Sequence, residues 1–338
     1  MNSKKEIPVF FSADNNYVPC LTVAMKSLIE NSSEKNNYKI IILNSGISEE
    51  NKRELRKMET NNIRISFTNV DSKVKRIEDE LKLRLRDYYS VAIYYRLFIP
   101  SIFPEYDKVI YLDSDIVVNC DIAELYNKDM GDNIIGAVKD MTINTNKDFI
   151  EYSKIAIGVE AEKYINSGML LINVKAMREN KIEQKFLYLL TKYNLETAAP
   201  DQDYLNVLCK DKIFYLDEVW DKMPDFGDRI PVKDLKIIHY NMFRKPWHYA
   251  DVPYSEEFWK YAKMTKFYDL LQDQLASYTD EQKAKDLEGV GKLVELTKKI
   301  IKQDIKFADI GAEAKLLDLE TNNNAEEEGS FSSLFNWI

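Results

Sequence analysis

Two carboxylates one residue apart, Asp113 and Asp115, are the side chains of this sequence best placed to do chemistry. They interrupt the apolar run Val109-Ile110-Tyr111-Leu112, and Ile116-Val117-Val118 follows at once. An apolar run of this kind predicts a buried strand. Where such a strand opens into a turn, two aspartates at this spacing can aim oxygens at one hard cation, which most often bridges to substrate phosphates. A bare D-x-D is more often a polar turn, because aspartate favours turns. Both histidines of the chain, His239 and His248, fall in one short segment around Lys245-Pro246-Trp247. Histidine is the usual nitrogen ligand for a divalent first-row metal. Taken one at a time, His239 reads as a strand-end histidine satisfied by hydrogen bonds, Lys245 as a solvated lysine, and Pro246-Trp247 as a rigid aromatic turn.

These residues need elements to position them. Strands are predicted at 7–12, 39–44, 63–69 and 108–112. Helical spacing covers 17–31, a capped helix 48–60, and an aromatic helix 90–102. Strand–helix alternation predicts an α/β fold with a mostly parallel sheet covered on both faces. Ligands of such sheets sit outside the carboxyl ends of the strands, so Asp14 and Asp113 should rim one cleft. Further on, 134–138, 168–173 and 235–240 look like strands, and 182–193 and 201–208 like helices. Residues 280–307 are amphipathic, with Val290, Leu293, Val294, Ile300, Ile301 and Ile305 on one side and several lysines on the other. Residues 312–330 are polar and acidic and read as a linker, and 331–338 turn apolar again. No internal repeat is visible.

Composition bounds the function classes. The 338 residues suffice for one large α/β domain with an appendage, or for two domains. With 45% hydrophobic and 30% charged residues this is an ordinary globular composition. A net charge of -9 argues against nonspecific nucleic-acid binding. Cys20, Cys120 and Cys209 are far apart and lack C-x-x-C spacing, which fits a reducing compartment rather than a disulfide framework or zinc site. The apolar run 7–11 is too short for a signal peptide, and no stretch approaches the about 18 apolar residues of a membrane span. The expectation is a cytoplasmic protein.

Read in order, the motifs form a set: Ala13-Asp14-Asn15-Asn16-Tyr17, Tyr94-Tyr95-Arg96-Leu97, the D-x-D, Asn166-Ser167-Gly168, Asp201-Gln202-Asp203, and His239 six residues before Lys245-Pro246-Trp247. This set resembles glycosyltransferase family 8, the retaining nucleotide-sugar transferases, over roughly residues 7 to 250. The resemblance implies a GT-A-type, Rossmann-like mixed and mostly parallel sheet flanked by helices. With the change of pattern beyond residue 255, the chain divides into a catalytic domain (1–255), a helical extension (256–311) and an acidic linker with an apolar peptide (312–338). The resemblance implies that Asp14, Asn16 and Tyr17 hold uridine, with Tyr17 stacking on the base. Asp113, Asp115 and His239 would bind Mn2+, with Mg2+ as the alternative ion. Lys245 would contact the diphosphate. Arg96, Asp140, Asn166 and Asp201 would surround the donor sugar, with Gln202 beside the reacting carbon. Ser114, between the two aspartates, counts with the donor-binding residues. The family usually has a glycine three residues after the metal histidine, whereas this chain has Met242.

The chemistry of the residues agrees. Negative charge grows on a departing nucleoside diphosphate, and a divalent ion on two carboxylates and an imidazole neutralises it. Lys245 adds a point charge. A serine or cysteine hydrolase would need a histidine base that this composition hardly supplies. The expected function is transfer of glucose or galactose from UDP-glucose or UDP-galactose to a saccharide, lipid-linked or protein acceptor. Retention leaves two routes open. One is double displacement, with Asp201 the better nucleophile by chemistry and Gln202 the better placed by resemblance. The other is front-face substitution, in which the departing phosphate deprotonates the acceptor, and it is the preferred route. Two other classes compete: an aspartate-nucleophile phosphatase, whose D-x-D normally ends the first strand, and a non-catalytic nucleotide-sugar-binding protein. The 280–307 helix either packs on the catalytic domain or a second subunit, which is the preferred reading, or touches an anionic membrane surface weakly at the inner face.

Overall fold

The computed structural model of the chain describes residues 6–70 and 91–310. The proposed linker 312–330 and the apolar peptide 331–338 lie outside the described residues, as does Ser90. In chain order the strands are β1 (Glu6–Ala13), β2 (Asn37–Asn44), β3 (Ile63–Asn69), β4 (Lys108–Leu112), β5 (Ile116–Val118), β6 (Ile135–Ala137), β7 (Met169–Asn173), β8 (Ile213–Tyr215) and β9 (Ile237–His239). Seven of them form one sheet in the order β3-β2-β1-β4-β7-β6-β8. The pairs β1/β2, β2/β3, β1/β4 and β6/β8 are parallel, and β7 runs antiparallel to β4 and β6. The mixed, mostly parallel sheet expected from the alternating pattern is therefore present.

Side chains of a strand alternate between faces, and both faces here are buried. Phe10, Val109 and Tyr111 enter the core on one side, which also receives Phe98, Phe186 and Leu189. Val9, Phe11, Ile110 and Leu112 enter the other, with Leu21, Met25 and Leu28 of the helix Val18–Glu30. Two covered faces explain why β1 and β4 read as continuous apolar runs instead of alternating ones.

A second, two-stranded sheet pairs β5 with β9 antiparallel, matching Ile116 to His239 and Val118 to Ile237. Its other edge is closed by a helix. Ser27, fully buried, accepts the Val118 N–H at 2.8 Å, and Asn31 donates its amide to the Val118 carbonyl at 3.0 Å. The outward-facing groups of Val118 are thus satisfied without another strand.

Three expectations need correction. Residues 91–102 form a 3-10 helix over Val91–Phe98 and one short α segment over Ile99–Ile102. Pro100 has no N–H to donate to the carbonyl of Arg96, and the aromatic and β-branched residues before it favour an α-helix weakly. The helix predicted over 48–60 is the shorter Glu49–Arg56, capped by the Ser48 hydroxyl, and its last turn closes with i to i+3 bonds from Lys57 onward. The amphipathic helix runs over Asp280–Ile301 and starts with a Thr279–Gln282 capping box. Leu293, Ile300 and Phe307 join the core on one side of the main sheet, while Val290 and Ile305 are exposed. None of the described helices is long and apolar enough to cross a membrane.

Ser27→Ala should destabilise the fold by about 1–3 kcal/mol, because it strands the buried N–H of Val118. Urea unfolding checks this, and a loss well below that range would mean that water or another group takes over the bond.

Candidate active site

The D-x-D turn connects β4 in the main sheet to β5 in the small one. Its backbone is fixed from two sides: Asp113 N–H donates to the Gly168 carbonyl at 2.7 Å, and the Ser114 hydroxyl donates to the Ser12 carbonyl at 2.8 Å. The β5–β9 register then delivers His239 beside Asp115, and Tyr240 N–H donates to the Asp115 carbonyl at 2.9 Å. His239 Nε2 lies 3.4 Å from Asp115 Oδ1 and 3.9 Å from Asp113 Oδ2. One ligand atom from each of the three residues falls within 4.8 Å of the others.

Whether the trio fits a divalent cation depends on which lone pairs are free. Asp113 Oδ1 is taken by Arg96 at 2.8 Å and the Tyr111 hydroxyl at 3.1 Å, which leaves Oδ2 facing the histidine. Asp115 Oδ2 is taken by Lys245 Nζ at 2.5 Å, which leaves Oδ1. His239 Nδ1 is engaged by Asp221 Oδ1 at 3.0 Å, which leaves Nε2. Two carboxylate oxygens and one imidazole nitrogen converge with their second atoms occupied elsewhere, as metal ligands usually are. The residues fit the ion.

The electrostatics follow from burial and neighbours. Burial and the adjacent Asp115 outweigh Arg96 and push the Asp113 carboxyl up to about 6. Burial would also raise Asp115, but Lys245 and His239 hold it well below the usual carboxylate range. Burial alone would lower His239, yet Asp221 and Asp115 hold it up at about 10. The carboxylates thus keep the imidazole protonated, and a cation bound at Nε2 would take the place of that proton.

Gly168 makes the room. A Cβ there would lie 2.2 Å from His239 Cε1 and 2.9 Å from Asp113 Oδ2. Its φ is not in the left-handed region, so space and not backbone freedom requires glycine.

A second network surrounds the first. Asp140 Oδ2 accepts from Gln202 Nε2 at 2.8 Å and from Asn166 Nδ2 at 3.1 Å. Gln202 Oε1 accepts the Ser167 N–H at 3.0 Å. Asp201 Oδ2 accepts the Ser167 hydroxyl at 2.8 Å and pairs with Arg96 Nε at 3.1 Å. Arg96 also donates to the Ser167 carbonyl, and its guanidinium lies 4.2 Å from the centre of the Tyr111 ring. The three loops after β4, before β7 and at the start of the helix Pro200–Leu208 are thereby tied through one cation. Arg96 is buried, and its role in this arrangement is to position Asp113 and Asp201.

Arg96, Asp113, Asp115, Asp140, Asn166, Ser167, Gly168, Asp201, Gln202 and His239 line a cavity of about 540 Å3, together with Tyr17, Lys245, Trp247 and His248. Asp14, Tyr17, Arg96, Asp113, Ser114 and Asp115 line a smaller pocket of about 180 Å3, so Asp14 and Asp113 do rim one cleft. Asn16 is exposed and lines neither pocket. Asp14 Oδ1 accepts the Asn16 and Tyr17 N–H groups, an Asx turn that opens the first helix. Tyr17 packs edge-on to Trp247 with ring centres 6.4 Å apart. Met242 sits at φ +59, the left-handed conformation that glycine adopts most easily, so the loop keeps a glycine-like backbone around a methionine. His248 stands apart from the metal trio.

Sequence reasoning missed Asp221. It is fully buried, and its partner lies 18 residues further on, so no local pattern marks it. It also missed Asp203 as a structural residue, which receives the hydroxyls of Tyr152 at 2.6 Å and Tyr164 at 2.5 Å behind the site.

With the geometry in view, the comparisons with known proteins become specific. Residues 8–251 match the family model for glycosyl transferase family 8. The chain belongs to this family. A Haemophilus influenzae relative, provisionally named a glycosyltransferase, is 31% identical over 249 residues, which cover 71% of this chain and 72% of the relative. The lipopolysaccharide 1,2-glucosyltransferase of Escherichia coli is 26% identical over 279 residues, covering 78% and 79%. Among solved structures, the galactosyltransferase LgtC in complex with donor and acceptor sugar analogues superposes with a TM-score of 0.64 at 28% identity, covering 77% of this chain and 96% of that one. The bifunctional glycosyltransferase WbbM gives 0.68 at 25% identity, and this chain covers 52% of its length. The fold is that of the GT-A glycosyltransferases, and the protein is a family 8 glycosyltransferase. A phosphatase reading finds no support, because the D-x-D follows the fourth strand in chain order and faces a histidine.

Gly168→Ala should lower affinity for a divalent ion, probed with Mn2+, at least about tenfold, as disturbed metal surroundings typically do, and should lower the melting temperature as well, because the added Cβ displaces a buried ring. Unchanged Mn2+ affinity by calorimetry would show that the close approach of His239 to residue 168 is not needed for the site.

Proposed function

We propose that this family 8 enzyme is a retaining, divalent-metal-dependent hexosyltransferase. It moves glucose or galactose from a UDP-sugar to a saccharide, lipid-linked or protein acceptor, with Mn2+ as the preferred ion and Mg2+ as the alternative. The observation that carries this reading is the convergence of Asp113 Oδ2, Asp115 Oδ1 and His239 Nε2, with every other polar atom of the three already engaged. The names of the relatives, a glucosyltransferase and a galactosyltransferase, favour a hexose donor. The cysteines are buried and unpaired, in keeping with a reducing, cytoplasmic setting. The packing of Leu293 and Ile300 into the main core favours a helix docked on the catalytic part over one lying in a membrane surface.

A divalent ion held by the trio would act as a Lewis acid toward the departing diphosphate. The residues of the chain divide the remaining work. Asp14 and Tyr17 line the smaller pocket and would receive uridine. Lys245, buried beside Asp115, would place its charge against the phosphates, where it gains most as the leaving oxygen becomes negative. Asp140, Asn166 and Gln202 would shape the sugar pocket with an amide and carboxylate network already oriented before substrate arrives.

Front-face substitution is the preferred route, with Gln202 shaping the pocket. Gln202 Oε1 is committed to the Ser167 N–H, and Asp201 Oδ2 to Arg96 and the Ser167 hydroxyl. Gln202 is held in place by its bonds, whereas Asp201 Oδ1 carries none of those on Oδ2 and is the oxygen a double displacement would use. On the front-face route the acceptor hydroxyl would lose its proton to the departing phosphate.

A donor screen tests the reading: UDP release from each UDP-sugar in the presence of Mn2+. UDP-glucose or UDP-galactose should turn over. Tight binding of both with no release would make the protein a nucleotide-sugar binder instead. With the active donor, Lys245→Ala should raise the barrier by about 2–4 kcal/mol, the usual effect of removing one preorganised donor. The loss should fall on kcat more than on donor KM. A raised KM with unchanged kcat would make Lys245 a uniform binding residue.

A further inference from the structure

The family match ends at residue 251, but the cavity does not. Tyr278, Asp286 and Leu293, all beyond that limit, line the same space as the metal trio and Gln202. The first two belong to a small cluster built from two parts of the chain. The His248 imidazole stacks on the Tyr278 ring with centres 4.0 Å apart and planes 6° from parallel. Asp286 Oδ2 accepts both the Tyr278 and the Tyr249 hydroxyls at 2.8 Å. The other carboxylate oxygen of Asp286 has no partner among the described residues, and neither ring nitrogen of His248 has one. The cluster docks the helix Asp280–Ile301 on the loop after Lys245, and its free groups, only half-buried, are available to a ligand in the cavity.

Position selects the ligand. His248 N–H donates to the Lys245 carbonyl at 2.9 Å, so the cluster is tied to the lysine that marks the diphosphate. In front-face substitution the acceptor must approach on the side from which the diphosphate leaves. We infer that Tyr278, Asp286 and His248 form the acceptor subsite and take the neutral saccharide end of the acceptor, an inference that rests on the transferase reading above. One acceptor hydroxyl oxygen bonds to the anomeric carbon, the bond from that carbon to the diphosphate breaks, and the hydroxyl proton goes to the departing phosphate oxygen. Neighbouring hydroxyls of the same sugar donate to the free oxygen of Asp286, and its apolar C–H face lies against the aromatic pair.

Charge selects against anionic acceptors. The cavity cations are already matched, Lys245 by Asp115 and Arg96 by Asp113 and Asp201, and Asp286 adds a further negative charge. Burial holds His248 down at about 4 despite Asp286, so its ring is neutral at pH 7 and supplies no balancing charge. An acceptor with a phosphate or carboxylate at its reacting end would meet repulsion there.

The test measures UDP release from the active UDP-hexose with Mn2+, with and without added acceptor probe. The probes are methyl β-D-glucopyranoside, methyl β-D-galactopyranoside, N-acetylglucosamine and glucose 6-phosphate. At least one neutral probe should raise release above hydrolysis, and glucose 6-phosphate should not. Asp286→Asn should lower the ratio of transfer to hydrolysis about tenfold, the usual effect of losing a hydrogen bond to a charged group. Tyr278→Phe, which keeps the ring and removes one hydroxyl, should lower it less. Leu287→Ala, a solvent-facing change on the same helix, should leave it as it is. If Asp286→Asn proves unfolded by circular dichroism, Tyr278→Phe decides. A ratio equal to wild type in the deciding variant, stimulation by glucose 6-phosphate alone, or no stimulation by any neutral probe would overturn the inference. No UDP release from any UDP-sugar would instead sink the transferase reading itself.

Discussion

Everything in the site depends on the antiparallel pairing of Ile116–Val118 with Ile237–His239. The main sheet can place two aspartates at the carboxyl end of its fourth strand, but it holds no histidine there. The small ribbon continues the chain out of that turn and matches it to a strand from the C-terminal half. A slip of one residue would turn His239 to the opposite face and break the set. The register is held from both edges. Ser27 and Asn31 fix β5, and the Lys222 carbonyl accepts the His239 N–H at 2.8 Å on the far side of β9. The segment that holds His239 by its backbone also carries Asp221, which orients its ring.

Charge explains why the site stays ordered. Four aspartates and a histidine lie close together in a buried place, which is unfavourable unless each is matched. Arg96 binds Asp113 and Asp201, Lys245 binds Asp115, and Asp221 faces His239. Each match uses one atom of the pair and leaves another free, so the compensation that stabilises the fold also aims the remaining lone pairs. Stability and function share these contacts, and a substitution at Arg96 would disturb several loops together.

Much of the architecture was legible from pattern alone. β1 and β4 are apolar runs with polar ends, β3 alternates apolar and polar residues, and the helix Ile182–Tyr193 has plain periodicity over three turns. Short pieces were not. The three-residue strands Ile116–Val118 and Ile213–Tyr215 carry no period, and the segment Val91–Phe98 has helical spacing yet winds as a 3-10 helix under the constraint of Pro100. At the site, residues inside local motifs could be named, such as the D-x-D and Asp201-Gln202. Asp221, Tyr278 and Asp286 could not, because each matters through a partner that only the tertiary fold supplies. Arg96 was legible as a site residue, but its buried bonds to Asp113, Asp201 and Ser167 were not.

The central claim is that the β5–β9 ribbon assembles a cation site that anchors the nucleotide. Calorimetry of UDP binding tests it most directly, with Mn2+ and after EDTA, in the wild type and in His239→Ala. The account predicts that UDP affinity in the wild type falls at least about tenfold when the metal is removed, and that His239→Ala starts from the weak value and responds little to Mn2+. Equal UDP affinity in all four conditions would contradict it.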